Sequence, residues 1–463
     1  MKFFGSLVEG NGWVGKYYKL DKQIFDLLSL QSIDLKKYPY LLESSSRGNK
    51  NNRFSILFFK PKVFLHKTKS DKKSFLDEFD IIWRKEKIEQ NNFYFNNKKI
   101  PFCGGWFVYL GYELVEEIEP RLSIPQSPFK LPTAFASRIN TAIIFDHIDN
   151  EIFITSDDKS SFFNDILDIE KDFSKILYEN RKLSGKIKIL TKGSEHEHQE
   201  QVRKCIDYIF QGEIFQANLS RLWKFQIDKK INEIDIYRQL RNKNPSPFAG
   251  LINYEDSNII CSSPERLVSV NGDNLETRPI AGTRPRGSSG LQDIELSMEL
   301  INSDKEKAEH LMLVDLERND ISKVCKPGSV KVNEMMTIES YAHVHHIVSN
   351  ICGLKIDDIT PGRIIRSLFP GGTITGCPKV RCMEILGELE REGRGPYTGS
   401  LGYVTHSGNM DLNILIRSML KEKDFVYFRA GGGIVADSVP ENETFETEAK
   451  ANGMLKALGS FNK

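Results

Sequence analysis

Two stretches in the second half of the chain constrain the fold most. ERLVSVNGDNLETRPIAG reads as two strands about an Asn271-Gly272 turn, and YTGSLGYVTHSGNMDLNILIRSML repeats the pattern about Ser407-Gly408-Asn409. Short turns of this kind join antiparallel neighbours, so consecutive hairpins build antiparallel sheets. The first half adds two strand-like runs, RFSILFFKPKVFLH and AIIFDHIDNEIFITS, the second with an Asp149-Asn150 turn between apolar stretches. Helical patterns separate the strands. Val202, Cys205, Ile206, Ile209 and Phe210 recur at helical spacing, with a stop near Gly212, and DKEKAEHLMLVDLERND, PKVRCMEILGELE and ENETFETEAKANGMLKAL follow. Strands and helices do not alternate strictly, which predicts an α+β fold rather than a parallel sheet. The polar stretch NRKLSGKIKILTKGSEHEHQE is the best linker, dividing the chain into a region 1–185 and a region 195–463.

An apolar fraction of 40% over 463 residues can support a substantial core. Lys and Arg number 64 against 63 Asp and Glu, so no general attraction to nucleic acid or an anionic membrane follows, and an anionic ligand must be caught locally. No apolar run reaches the length of a bilayer-spanning helix, and MKFFGSLVEGNG lacks the apolar core of a signal peptide. The expected location is the cytoplasm. The seven cysteines form no CxxC pair and no metal-type spacing with histidine, as suits reduced, buried thiols.

Chemistry concentrates in the second half. PIAGTRPRG (279–287), FPGGTITG (369–376) and AGGGI (430–434) are glycine-dense, and glycine lets backbone N–H groups approach an anion closely. One such stretch is usually a turn; three with nearby arginines point to an anion site. Glu309 lies on a helical pattern among Ala308, Leu311, Met312 and Val314, and Glu446 is expected in the first turn of the last helix. These carboxylates either complement helix dipoles or supply Mg²⁺ from two helices, and spacing alone favours the dipole, which also suffices for Glu443. His346 in HVHHIVSN has the spacing of an ordinary structural histidine. His196 and His198 are two apart and share no helical face, so a metal site there is not expected.

The order SSPERL, TRPIAGTRPRG, EHLMLVDLERND, FPGGTITGCPKVRCMEILGELE, GPYTGSLGY, IRSM and AGGGIVADS resembles the chorismate-utilising enzymes. That family includes the first components of anthranilate synthase and aminodeoxychorismate synthase, and the isochorismate and salicylate synthases. YPYLLESS and PFCGGWFVYLGYE carry a weaker likeness in the first half. The resemblance implies large antiparallel sheets packed as a sandwich with helices outside. It implies Glu309 and Glu446 as Mg²⁺ ligands that hold the ring carboxylate of chorismate, Glu265 as the acid that protonates the departing hydroxyl, and His346 beside that carboxylate. Gly282, Thr283, Tyr397, Arg417, Gly431, Gly432 and Gly433 resemble the substrate-binding set, the arginine fork suiting a carboxylate.

Where the water-using members carry a lysine base, this sequence has Gln216, whose amide activates no water. Ammonia needs no deprotonation before attack, so the resemblance implies an aminating enzyme. No glycine-x-cysteine-x-glycine elbow appears, and a separate glutamine amidotransferase is the expected source of ammonia. FPGG, AGGGI and Asn218 resemble the aminodeoxychorismate branch, which feeds 4-aminobenzoate and folate. Ala281 stands where its best-known members have a nucleophilic lysine, and matches anthranilate synthases instead. A subunit that only binds chorismate or tryptophan is a third reading, against which stand Glu265, Glu309, His346 and Glu446. Leu41 to Ser44 with Asn244-Pro245-Ser246-Pro247 resemble the family's tryptophan site, or are equally a strand end and a proline turn; Ser44, Pro245 and Ser246 are the residues implied.

Overall fold

The computed structural model describes residues 5–461, apart from 11, 21–24, 47–52, 90–92, 96–97, 177–184 and 341–343. Among these, thirteen strands form one sheet and ten a second, and every pairing is antiparallel. The hairpins follow the turns read from the sequence: Thr141–Asp146 with Glu151–Ser156, Arg266–Asn271 with Asn274–Thr277, and Ser400–Thr405 with Met410–Asn413. Helices Glu195–Phe210, Asp304–Ser322, Lys379–Glu390 and Pro440–Gly459 likewise match the periodic segments.

Facing sheet surfaces make one aromatic-rich layer. Tyr40 stacks on Phe107 with centroids 4.2 Å apart, Phe135 on Tyr254 at 4.3 Å, and Phe58 meets Phe107 edge-on at 5.9 Å. In each pair the two residues come from different sheets, so the sheets form a sandwich. Helices cover both outer faces: the helices 233–243 and 440–459 pack on the larger sheet, and 75–86, 304–322 and 361–368 on the smaller.

The run RFSILFFKPKVFLH is not one strand. Lys60 adopts a positive φ of 43° and Pro61 offers no N–H, so Phe54–Phe59 joins the larger sheet and Lys62–Lys67 the smaller. IRSML makes a similar crossing, from Met410–Asn413 in the smaller sheet to Ser418–Glu422 in the larger. The stretch expected to link two regions contains the edge strand Ile187–Thr191 and the start of the helix 195–210; residues 180–184 of it lie outside the described part. Strands of the region 1–185 also pair directly with strands of 195–463, Tyr40–Glu43 with Phe248–Tyr254 and Gly105–Leu110 with Ser400–Thr405. A boundary at 185–195 therefore separates no sheet. The helices Glu233–Lys243, Gly290–Asn302 and Pro361–Leu368 lie outside the helical patterns read from the sequence.

Candidate active site

Two chain crossings between the sheets carry the first two site residues. Glu265 lies between the strand Ser257–Ser263 of the larger sheet and Arg266–Asn271 of the smaller, and Arg417 lies on the crossing before Ser418, with φ 50°. The crossings are tied together: Ile414 N–H donates to Glu265 O, Ser262 N–H to Arg417 O, and Ser263 Oγ to Ile414 O at 2.5 Å. Thr373 Oγ1 donates to Glu265 Oε1 at 2.8 Å. Burial pushes the Glu265 carboxyl up to about 7, against the opposing pull of Thr373, Ile280 N–H, Arg417 and Lys450. Near neutral pH this group therefore still holds a proton to give.

Gly282 brings His346 to the same place. It sits at a bulge, φ 61°, so that Ala281 pairs with Ile347 and Thr283 with His346. His346 Nδ1 lies 3.0 Å from Thr283 Oγ1 and 3.3 Å from Gly282 O. The carbonyl can only accept, which assigns the ring proton to Nδ1. Burial holds His346 down to about 3, so the ring is neutral. The charges of Arg417 and Lys450 act on both Glu265 and His346, which groups all four in one site.

The strand Phe425–Ile434 runs beside Gln216–Ile227 and forms one wall. A Cβ on Gly431 would lie 2.8 Å from Tyr397 Oη and 3.0 Å from Asn218 Oδ1, and one on Gly433 would lie 2.1 Å from Gln216 Nε2. A Cβ on Gly432 would point elsewhere, 3.3 Å from Glu443 Oε2 and 3.4 Å from Glu446 Oε1. Side chains at 431 and 433 would thus displace the amides and the tyrosine, and one at 432 would crowd the carboxylates. Gln216 is fixed from behind: Cys382 Sγ donates to its backbone carbonyl oxygen at 3.0 Å, and Gly376 leaves room for the contact.

The structure places Glu309 half-buried on the helix 304–322 and Glu446 exposed on the helix 440–459, where Lys450 Nζ lies 2.7 Å away. It adds two carboxylates: Glu306, whose Oε2 lies 2.8 Å from the Cβ position of Gly282, and buried Glu443, which accepts from Ser438 Oγ at 2.6 Å. Each precedes a sequence-read glutamate by three residues, a helical-face spacing that could have revealed it. Glu306 and Glu309 lie on one helix and Glu443 and Glu446 on the other; a hard cation would take one or two such carboxylates and fill its octahedron with water and substrate oxygens. Among the described residues, the acidic group whose ligand atoms all lie within 4.8 Å is a different one, Asp146, Asp149 and Glu151, which Arg53 and Lys98 bridge.

A sequence profile described as chorismate binding enzyme matches residues 38–456. The chain belongs to that family. The anthranilate synthase component I-like protein of Synechocystis sp. is 41% identical over 363 residues, 78% of this chain and 73% of that protein. The aminodeoxychorismate synthase component 1 of Bacillus subtilis is 39% identical over 373 residues, 78% of each. Anthranilate synthase component I from Streptococcus pneumoniae has the same fold, with a TM-score of 0.76 at 29% identity over 88% of this chain and 93% of that one. This chorismate-binding family member is therefore a chorismate-utilising enzyme of the anthranilate synthase and aminodeoxychorismate synthase type, with the sandwich fold that the resemblance implied.

Sequence reasoning alone missed Thr373, Lys450 and Glu317. Glu317 is buried near Glu265, hydrogen-bonded by Thr277 Oγ1, and pushed up to about 8 chiefly by burial. His196 is exposed, while His198 is buried against Thr444 Oγ1 at 2.8 Å. Away from the acid, a cavity of about 230 Å³ is lined by Glu43, Ser44, Arg53, Phe54 and Pro247 among others. Ser44 Oγ donates to Pro247 O at 3.0 Å; Ser246 is buried against Ser45 and Ser262, and neither it nor Pro245 lines the cavity.

Proposed function

We propose that this family member aminates chorismate to 4-amino-4-deoxychorismate, as an aminodeoxychorismate synthase component I. The carrying observation is Gln216, a neutral amide buried against Gly433, at the position where the family resemblance implies the lysine base of water-using members. Asn218, two residues further on, supports the same branch.

Glu265 gives its proton to the departing hydroxyl, which leaves as water while the C–O bond breaks. Ammonia supplies the electron pair of the new C–N bond, and the proton its nitrogen sheds returns to the Glu265 carboxylate. The protons balance, and a group near 7 suits both transfers. His346, neutral and fixed through Nδ1, presents an uncharged edge beside the acid. Arg417 takes a substrate carboxylate, and Tyr397 with the amides of Gly431, Gly432 and Gly433 orients the ring. Glu309 and Glu446, with Glu306 and Glu443 behind them, would hold Mg²⁺, which when bound neutralises the ring carboxylate. An amidotransferase partner supplies ammonia, in keeping with the component names of the relatives. Seven free thiols support a reducing compartment, the cytoplasm.

Ala281 favours a second reading. It is buried next to Gly282 and offers no amine to attack the ring, and in this it resembles the anthranilate synthases. Incubating the chain with chorismate, Mg²⁺ and excess ammonium salt tests the choice. A product that yields 4-aminobenzoate only after a lyase is added is expected; direct release of anthranilate with pyruvate would replace the first reading with the second.

A further inference from the structure

Two buried polar atoms in the glycine wall stand out. Gln216 Oε1 and Asn218 Oδ1 are enclosed and have no hydrogen-bond partner among the described residues, although the side chains are 6% and 8% exposed. Natural proteins rarely leave such oxygens unsatisfied. The two residues alternate with Ala217 on one strand, so their side chains leave the same face, roughly 7 Å apart along it. Asn218 Oδ1 lies over Gly431 together with Tyr397 Oη, and the Gln216 side-chain amide lies over Gly433.

The backbone of Asn218 is already committed, its N–H to Thr375 O at 2.9 Å and its carbonyl to Arg394 Nη2 at 2.7 Å. The side chain is thus held in place without its amide being used. Thr375 belongs to the same short loop as Thr373, whose hydroxyl binds Glu265. Two residues of one loop therefore tie the backbone of the strand that carries these amides to the proton donor.

We propose that the side-chain amides of Gln216 and Asn218 form the ammonia-binding subsite, each accepting an N–H of the nucleophile through its carbonyl oxygen. The site rests on the amination reading above. Two carbonyl acceptors repel a carboxylate, so neither substrate acid group belongs here. They engage the N–H bonds of ammonia and leave its lone pair for the ring carbon. They take no proton, which is why water bound in the same place gains no nucleophilicity. Asn218 is then a residue that sets nucleophile use together with Gln216.

Steady-state kinetics on the full chain with ammonium chloride and chorismate varied separately test this. Asn218→Val keeps the backbone bonds and the approximate volume but removes the acceptor. Its KM for ammonium should rise about tenfold, the usual effect of one lost hydrogen bond, while the KM for chorismate stays constant. Gln216→Leu should do the same. A chorismate-induced rise in melting temperature, retained in both variants, shows that they fold and bind. An unchanged ammonium KM, or an equal rise in both KM values, would overturn the subsite alone. Wild-type turnover of chorismate with no incorporation of isotopically labelled ammonium would overturn the amination reading and the subsite with it.

Discussion

Acidic residues in two regions of this enzyme meet opposite surroundings. Asp146 is fully buried, yet Arg53 Nη2 lies 2.7 Å away, and Lys98 joins Asp149 to Glu151, on which the Tyr17 hydroxyl also donates. Glu265 is nearly as buried, but its side-chain hydrogen-bond partner is the Thr373 hydroxyl, and that of Glu317 is Thr277. Burial beside a cation makes an ion-paired structural anchor; burial beside a hydroxyl leaves a carboxyl that keeps its proton to about 7 or 8. The partner, more than depth, separates scaffold from chemistry.

The largest test of that contrast is Glu265→Gln, which preserves an acceptor for Thr373 and removes the proton. Turnover should fall by about 10²–10⁴-fold with the thermal melt unchanged. A loss below tenfold would mean that another group is the acid. In the scaffold cluster the effect should be the reverse. Arg53→Ala leaves Asp146 buried without its guanidinium and should lower stability by about 2 kcal/mol, discounted for the partial exposure of Arg53, with turnover retained. Chemical denaturation reads it, and an unchanged midpoint would show that the cluster anchors nothing.

The smallest effect concerns Glu317 and appears only with pH. Its folded-state pKa lies above the ordinary carboxyl value, so between about 4.5 and 8 the folded protein binds more protons than the unfolded chain. Stability from this group is then full below 4.5 and is lost as pH rises through 8. Glu317→Gln removes that loss. The variant should melt higher than wild type at pH 8 and level with it at pH 4.5. Equal shifts at both values would trace the effect to packing instead.

Much of the sheet architecture was legible because its signals are local. Asn271-Gly272 and Asp149-Asn150 mark turns whose flanking residues alternate, and the pairing follows. The crossings between sheets were not legible: Phe54–Phe59 and Lys62–Lys67 look alike in composition, and only the core decides which layer each joins. The edge strand Ile187–Thr191 reads as linker because four of its five residues are exposed. Glu265 and His346 were readable only through long motifs, since neither has a distinctive spacing of its own.

The sequence by itself determined the α+β class, the hairpin turns and the family, because turn chemistry, periodicity and residue type act at short range or are carried intact by motifs. Tertiary structure alone decided the rest. Two chain crossings, a bulge at Gly282 and a wall of glycines gather residues from 216 to 450 into one site. The proton on Glu265 and the unsatisfied amides of Gln216 and Asn218 arise there, because desolvation and hydrogen-bond partners depend on what surrounds a side chain in space.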